Sequence, residues 1–398
     1  MKHFSTKILV VVLLVVAVLS GYNYFHRPFL KRFPQVSEQV GVTDDQLVDP
    51  IQVAFDSLTA REKLAQLVSL PVVLDEVVES DGENGDRLAA ADQLAWAAAQ
   101  QPGFITLFGD DLDASSAAEF SAQLTALELP LRPLVAVDHE GGAVQRLSGE
   151  GFTPLPSWRQ SCAMAAEART ELFLQSAAEL NQAGIQVVFA PVVDVVQAGS
   201  FMGTRACLTA EEITATANDY ITSFARYAIL PVIKHFPGIG SLATDPHFQL
   251  DTVELAAQDT VVFDRLLSSF PNIGVMTTHV VVAGRTAGVP CSLSVACLDR
   301  FPVNFPEAIL FTDALEMASA GLEEDSDQPK ELATVATQAL LAGNDVLVFG
   351  EEVSQEEIEE VLFALESEYQ LDENFRRQVD DSVKKVLSVK VPAELAAE

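Results

Sequence analysis

Apolar and β-branched residues gather into eight short runs, at Leu67–Val73, Phe104–Phe108, Leu134–Val137, Val187–Phe189, Leu230–Ile233, Gly274–Thr277, Ala308–Phe311 and Val346–Phe349. Between most of them lie stretches such as Ala163–Ala183 and Ala210–Tyr227, whose apolar residues recur at helical spacing. Strand-like runs that alternate with helical ones predict parallel strands joined by crossover helices. Eight such units predict an α/β chain folded as a single (β/α)8 barrel, a TIM barrel, over residues 51–398. Glu351–Glu368 reads as an acidic, solvated helical region. There is no repeat at solenoid spacing and no low-complexity tract.

The amino end has a different pattern. Ile8–Leu19 is an unbroken apolar run behind Lys2 and Lys7, and residues 1–34 hold five basic side chains and no acidic ones. This predicts an N-terminal hydrophobic anchor helix or signal peptide over residues 1–33, with Tyr22, Tyr24 and Phe25 as interfacial anchors. The run suits a signal-peptide core and approaches the lower limit for a span only when Ser20, Gly21 and Tyr22 are added. Val18-Leu19-Ser20 is a poor cleavage site, which favours an uncleaved anchor over a cleaved signal. Either places the body outside the cytoplasm. Residues 34–50, polar between Pro34 and Pro50, read as a linker.

Composition narrows the function. The 398 residues include 24 Lys+Arg against 57 Asp+Glu, a formal charge of −33. A body this acidic would repel a phosphate backbone, so nucleic acid is excluded as a partner. At 49% hydrophobic residues the chain buries a core and is not mainly disordered. The four cysteines, Cys162, Cys207, Cys291 and Cys297, match no zinc spacing. Cys291 and Cys297 are the pair nearest in sequence, and the expectation is that at least two of the four remain unpaired, buried thiols.

A barrel places its reactive groups at the carboxyl ends of its strands, so the residues after each apolar run are the informative ones. Here those are Asp138, Asp194, Lys234 with His235, His279 and Asp313. A single strand-end Asp is more often a helix cap or a turn residue. Five ends bearing ionisable groups around one barrel mouth predict a polar pocket holding carboxylates, two histidines and a lysine. In Lys234–His247 a cationic pair is followed by a long loop bearing Asp245 and His247 two residues apart. An imidazole gives and takes a proton near neutral pH, and a neighbouring carboxylate orients it; a loop turn with a surface histidine reads equally well from spacing alone.

Four stretches, VDHEGGAVQRL (Val137–Leu147), IKHFPGIGSLATDPH (Ile233–His247), MTTHVVV (Met276–Val282) and LFTDALEM (Leu310–Met317), resemble the signatures of glycoside hydrolase family 3. They are most similar to its single-domain β-N-acetylglucosaminidase branch, with weaker similarity from about Asp56 to the end. The resemblance implies a (β/α)8 barrel that needs no metal or organic cofactor. It implies Asp313 as the nucleophile that forms a covalent glycosyl-enzyme, and His247 with Asp245 as the acid/base dyad. Lys234, His235, Asp138, Arg146 and Arg205 would hold the sugar, although each arginine could equally be a structural ion-pair partner. The implied reaction is removal, with retention, of a terminal non-reducing β-linked N-acetylhexosamine, from cell-wall fragments or chitooligosaccharides. Two positions depart from the family pattern: Ile239 stands in place of a histidine in PGHG, and Pro246 in place of the serine between the loop Asp and His. Two alternatives stay open, a phosphate-using glycosidase of the same fold and a membrane-tethered saccharide-binding protein with impaired turnover.

Overall fold

The computed structural model describes residues 49–74, 90–322 and 329–391. The expected anchor at 1–33 and nearly all of the expected linker at 34–50 lie outside them. No helix among the described residues is long and apolar enough to cross a membrane. Ile51–Val391 forms one compact unit.

Its centre is a closed parallel barrel of eight strands, β1 (Val68–Val73), β2 (Phe104–Phe108), β3 (Leu134–Val137), β4 (Val187–Val188), β5 (Leu230–Phe236), β6 (Gly274–Thr277), β7 (Ile309–Ala314) and β8 (Val346–Val348). Each strand pairs with its sequence neighbours, and the barrel closes where Val68 and Ser69 of β1 register with Leu347 and Val348 of β8. All eight apolar runs therefore become barrel strands. Long helices such as Ala114–Ala126, Ala166–Gln182, Ala210–Ala225, Ala257–Ser269 and Leu332–Ala342 supply the outer layer, as a parallel sheet buried on both faces requires.

The runs lack polar alternation because both of their faces are covered. Phe104 of β2, Phe189 just past β4 and Phe311 of β7 meet edge to face, with centroids 5.2 Å (Phe104–Phe311) and 5.9 Å (Phe189–Phe311) apart. These come from well-separated strands, so they fill the barrel interior. Burying each such side chain contributes roughly 1.5–3 kcal/mol. Two helices lie here: a short one, Trp158–Ala163, and, after the extended Met164, the helix Ala166–Gln182, which is the stretch Ala163–Ala183 read as helical from its spacing. A capping box between Ser157 and Gln160 starts the first.

The amino end of the barrel is tied by Asp345, which accepts Leu310 N–H (2.9 Å), Ser382 Oγ (2.7 Å) and Lys385 Nζ (2.8 Å). The cysteines correct the sequence expectation. All four are paired, Cys162 with Cys207 and Cys291 with Cys297. The first pair is 45 residues apart, and nothing in linear spacing announces that the fold brings helix Trp158–Ala163 against the loop holding Cys207.

Candidate active site

β5 runs on through Lys234 and His235, so both residues belong to the strand rather than following it. Asp313 likewise lies within β7, and Asp138 follows β3 directly. The parallel topology therefore brings these groups to one end of the barrel.

One half of the site is a buried charge network. Lys234, with a side chain only 3% exposed, donates through Nζ to Asp138 Oδ1 and contacts Glu140 Oε1, each at 2.7 Å. Arg205 grips Glu140 from the other side with two parallel bonds, Nε to Oε2 at 2.9 Å and Nη2 to Oε1 at 2.8 Å. Burial pushes the Glu140 carboxyl up, but Lys234 and Arg205 outweigh it and hold the pKa at about 2. Burial opposes the charge on Lys234 too, yet Asp138 and Glu140 raise its pKa above the ordinary value. Glu140 is the residue that sequence reasoning passed over, although it sits in VDHEGGAVQRL two positions past Asp138. Its role comes from contacts at sequence distances of 65 and 94 residues, which no local pattern encodes.

His235 is oriented by Asp194, whose Oδ2 accepts both the ring Nδ1–H (2.8 Å) and the backbone N–H (3.1 Å). Asp194 Oδ1 accepts the backbone N–H of Ile239 at 2.7 Å, while the Ile239 side chain is buried. The backbone bond that fixes the turn thus does not depend on a polar side chain at position 239.

Asp313 accepts from Thr278 Oγ1 (3.3 Å) and from the backbone N–H of Ala314 (3.0 Å). Burial raises its pKa, but the combined fields of His235, His279, His247 and Lys234 leave it below the ordinary aspartate value. His279 Nε2 donates to the carbonyl of Ala314 at 3.0 Å and its Nδ1 meets Ser292 Oγ at 2.6 Å. Burial lowers the His279 pKa against the opposing charge of Asp313. The ring bridges Ser292 and Ala314 and so fixes the backbone beside the Asp313 carboxylate. Glu316, three residues on, packs against Gly350, where a Cβ would lie 1.9 Å from Glu316 Oε1; its carboxyl is raised by burial.

The other half is open. His247 Nδ1 donates to Asp245 Oδ1 at 2.6 Å, and the same oxygen accepts the His247 backbone N–H at 3.0 Å. The two side chains are 55% and 33% exposed. Burial raises the Asp245 pKa, but both bonds from His247 outweigh it and the net shift is downward. With Nδ1–H committed to the carboxylate, Nε2 is the nitrogen available for proton transfer. The loop that holds the dyad leaves the carboxyl end of β5 just past Lys234 and His235, the end of the barrel at which the parallel topology also sets Asp313.

The backbone N–H of Arg146 donates to the carbonyl of Asp138 at 3.2 Å, but its side chain stands apart from the network. Its Nη1 meets the exposed Asp110 Oδ1 at 3.1 Å and its guanidinium lies over Phe108, 5.9 Å from the centroid. Its Nε is buried without a hydrogen-bond partner. Among the described residues no cluster of His, Cys, Asp and Glu is arranged to hold a metal ion.

Comparison with known proteins covers most of this barrel. Residues 59–389 match the glycosyl hydrolase family 3 N terminal domain. A beta-hexosaminidase of Methylococcus capsulatus is 40% identical over 235 residues, 55% of this chain and 67% of its own length. The Mycobacterium tuberculosis beta-hexosaminidase LpqI is 31% identical over 356 residues, 84% of each chain. The solved structure of M. tuberculosis LpqI superposes with a TM-score of 0.73 at 28% identity, covering 87% of this chain and 97% of that one. A match extending over most of the barrel, to relatives that are themselves covered over most of their length, shows that the chain belongs to glycosyl hydrolase family 3.

Proposed function

We propose that the chain is a retaining, exo-acting β-N-acetylhexosaminidase that removes terminal non-reducing β-linked N-acetylglucosamine from cell-wall fragments or chitooligosaccharides. The observation that carries this reading is a carboxylate and a separate histidine–aspartate dyad at one barrel end, beside a grip of buried ion pairs. Two of the relatives matched are beta-hexosaminidases by name, which supports N-acetylhexosamine as the sugar.

Asp313, kept ionised by the histidines and Lys234 around it, attacks the anomeric carbon. His247 Nε2 passes a proton to the leaving oxygen, and a covalent glycosyl-enzyme forms. Water then attacks that carbon, His247 takes its proton, and Asp313 departs. The two inversions give net retention. Asp245 fixes the ring tautomer and supports the imidazolium. Lys234, His235, Asp138 and Arg205 hold sugar oxygens, Arg205 with its geometry set by Glu140, and Arg146 reaches the sugar from the rim. Residues 51–398 form the catalytic domain, which residues 1–33, as an anchor or a cleaved signal, and the linker 34–50 place outside the cytoplasm.

The test is hydrolysis of an aryl N-acetyl-β-glucosaminide with the initial product followed by proton NMR. The β-anomer should appear first, and Asp313→Ala should abolish release. Initial α-anomer, or full activity in Asp313→Ala, overturns the mechanism. Added phosphate that diverts the product to a sugar 1-phosphate identifies the phosphate-using glycosidase instead. Saturable binding of N-acetylglucosamine without turnover identifies the binding protein.

A further inference from the structure

The segment between β5 and the helix Ala257–Ser269 has little regular structure, yet it is bonded to itself and to the barrel along its length. Asp245 O accepts Phe248 N–H at 3.2 Å, closing a four-residue turn with Pro246 at the second position. There the ring's fixed φ suits the turn. Pro246 is buried, while His247 and Phe248 on its carboxyl side are exposed. Around that turn a second closure forms. Gln249 Nε2 donates to Thr244 Oγ1 (3.1 Å) and to Asp251 Oδ1 (3.0 Å), and Thr244 Oγ1 bonds Asp251 Oδ2. The flanks are fixed as well. Gly240 O and Leu242 O accept Gln197 N–H and Phe201 N–H, each at 2.9 Å, and Thr252–Val253 pairs with Val281–Val282.

We propose that Pro246 and the Thr244–Gln249–Asp251 clamp are positioning residues that keep Asp245 and His247 assembled as an acid/base pair in the resting enzyme, before any sugar arrives. This rests on the acid/base role given to His247 above. A loop free to wander must be ordered in each catalytic cycle, and the entropy lost in fixing its residues raises the barrier to the step that needs them. A proline already in the required turn removes much of that cost from the open ensemble. The exchange of serine for proline at position 246 then leaves the dyad more ordered, and its bonds to Asp245 Oδ1 intact.

The experiment compares kcat/KM, which reports cleavage of the glycosidic bond, for full-length parent, Pro246→Gly, Gln249→Ala and the double variant. The substrates are N,N′-diacetylchitobiose, whose leaving oxygen needs a proton, and the 2,4-dinitrophenyl glycoside, whose leaving group does not. Pro246→Gly should lose about two- to fivefold on the disaccharide, the double variant about tenfold, and neither should change on the dinitrophenyl substrate by more than about twofold. Pro246→Ala should fall between parent and Pro246→Gly. Unchanged disaccharide cleavage in the double variant, or equal losses on both substrates, overturns the positioning role. His247→Ala serves as the control for the underlying reading. If it loses equally on both substrates, the histidine is not the acid, and the proposal falls for that separate reason.

Discussion

The grip and the dyad solve opposite problems at the same end of one barrel. In the grip, Lys234, Glu140, Arg205 and Asp138 are joined by short ion pairs, and the Lys234 side chain is only 3% exposed. In the dyad, Asp245 and His247 are two residues apart on a loop, and the His247 side chain is 55% exposed. A buried ion costs several kcal/mol unless it is fully paired, so every member of the grip is also a structural element. An exposed pair carries little of the fold's stability. The difference separates two kinds of mutational damage, one that disturbs the fold together with binding and one that removes only proton transfer.

The largest effect that would sharpen this contrast is expected from His247→Ala. Its kcat/KM on substrates with poor leaving groups should fall by about 10²–10⁴-fold, while its unfolding free energy stays within about 0.5 kcal/mol of parent. Loss of stability without loss of cleavage would invert the assignment. Glu140→Gln should do the reverse and destabilise by about 3–5 kcal/mol in denaturant unfolding, because Lys234 and Arg205 are left partly unpaired in a buried place. A small change would show that the grip is more hydrated than its burial indicates.

Next in size is the loss of the Cys162–Cys207 cross-link. Cys207 lies two residues from Arg205, so replacing both cysteines by serine should cost about 2–4 kcal/mol of stability and raise KM more than it lowers kcat. An unchanged KM would detach the cross-link from the grip.

The smallest effect is in pH dependence. Glu140 is lowered from 4.5 to about 2, so the unfolded chain takes up its proton first as pH falls. Stability from this carboxyl is complete above about 4.5 and is lost as pH falls toward 2. Glu140→Gln should therefore show a shallower loss of stability between those values than parent, measured by unfolding at stepped pH; an identical slope would contradict the depressed pKa.

The barrel was legible because its signal is repeated and local. Eight apolar runs reflect eight strands covered on both faces, and each can be read from its own few residues. Asp138, Lys234, His235 and Asp313 were legible by position, since a parallel barrel sends its strand ends to one side. Glu140 was not, because its importance comes from Arg205 and Lys234, far away in sequence. Cys162 and Cys207 escaped for the same reason. Ile239 shows the limit from the other side. The sequence marks it as a lost polar group, whereas its backbone N–H still reaches Asp194, a contact independent of the side chain.

The central claim is that Asp313 and His247 act on one sugar. It is tested most directly by incubating the protein with a slow 5-fluoro-N-acetylglucosaminyl substrate, digesting it, and locating the added sugar mass. The label should sit on Asp313 and accumulate in His247→Ala when the leaving group needs no proton. A label on another carboxylate, or steady turnover by Asp313→Asn with no trapped sugar, would contradict it.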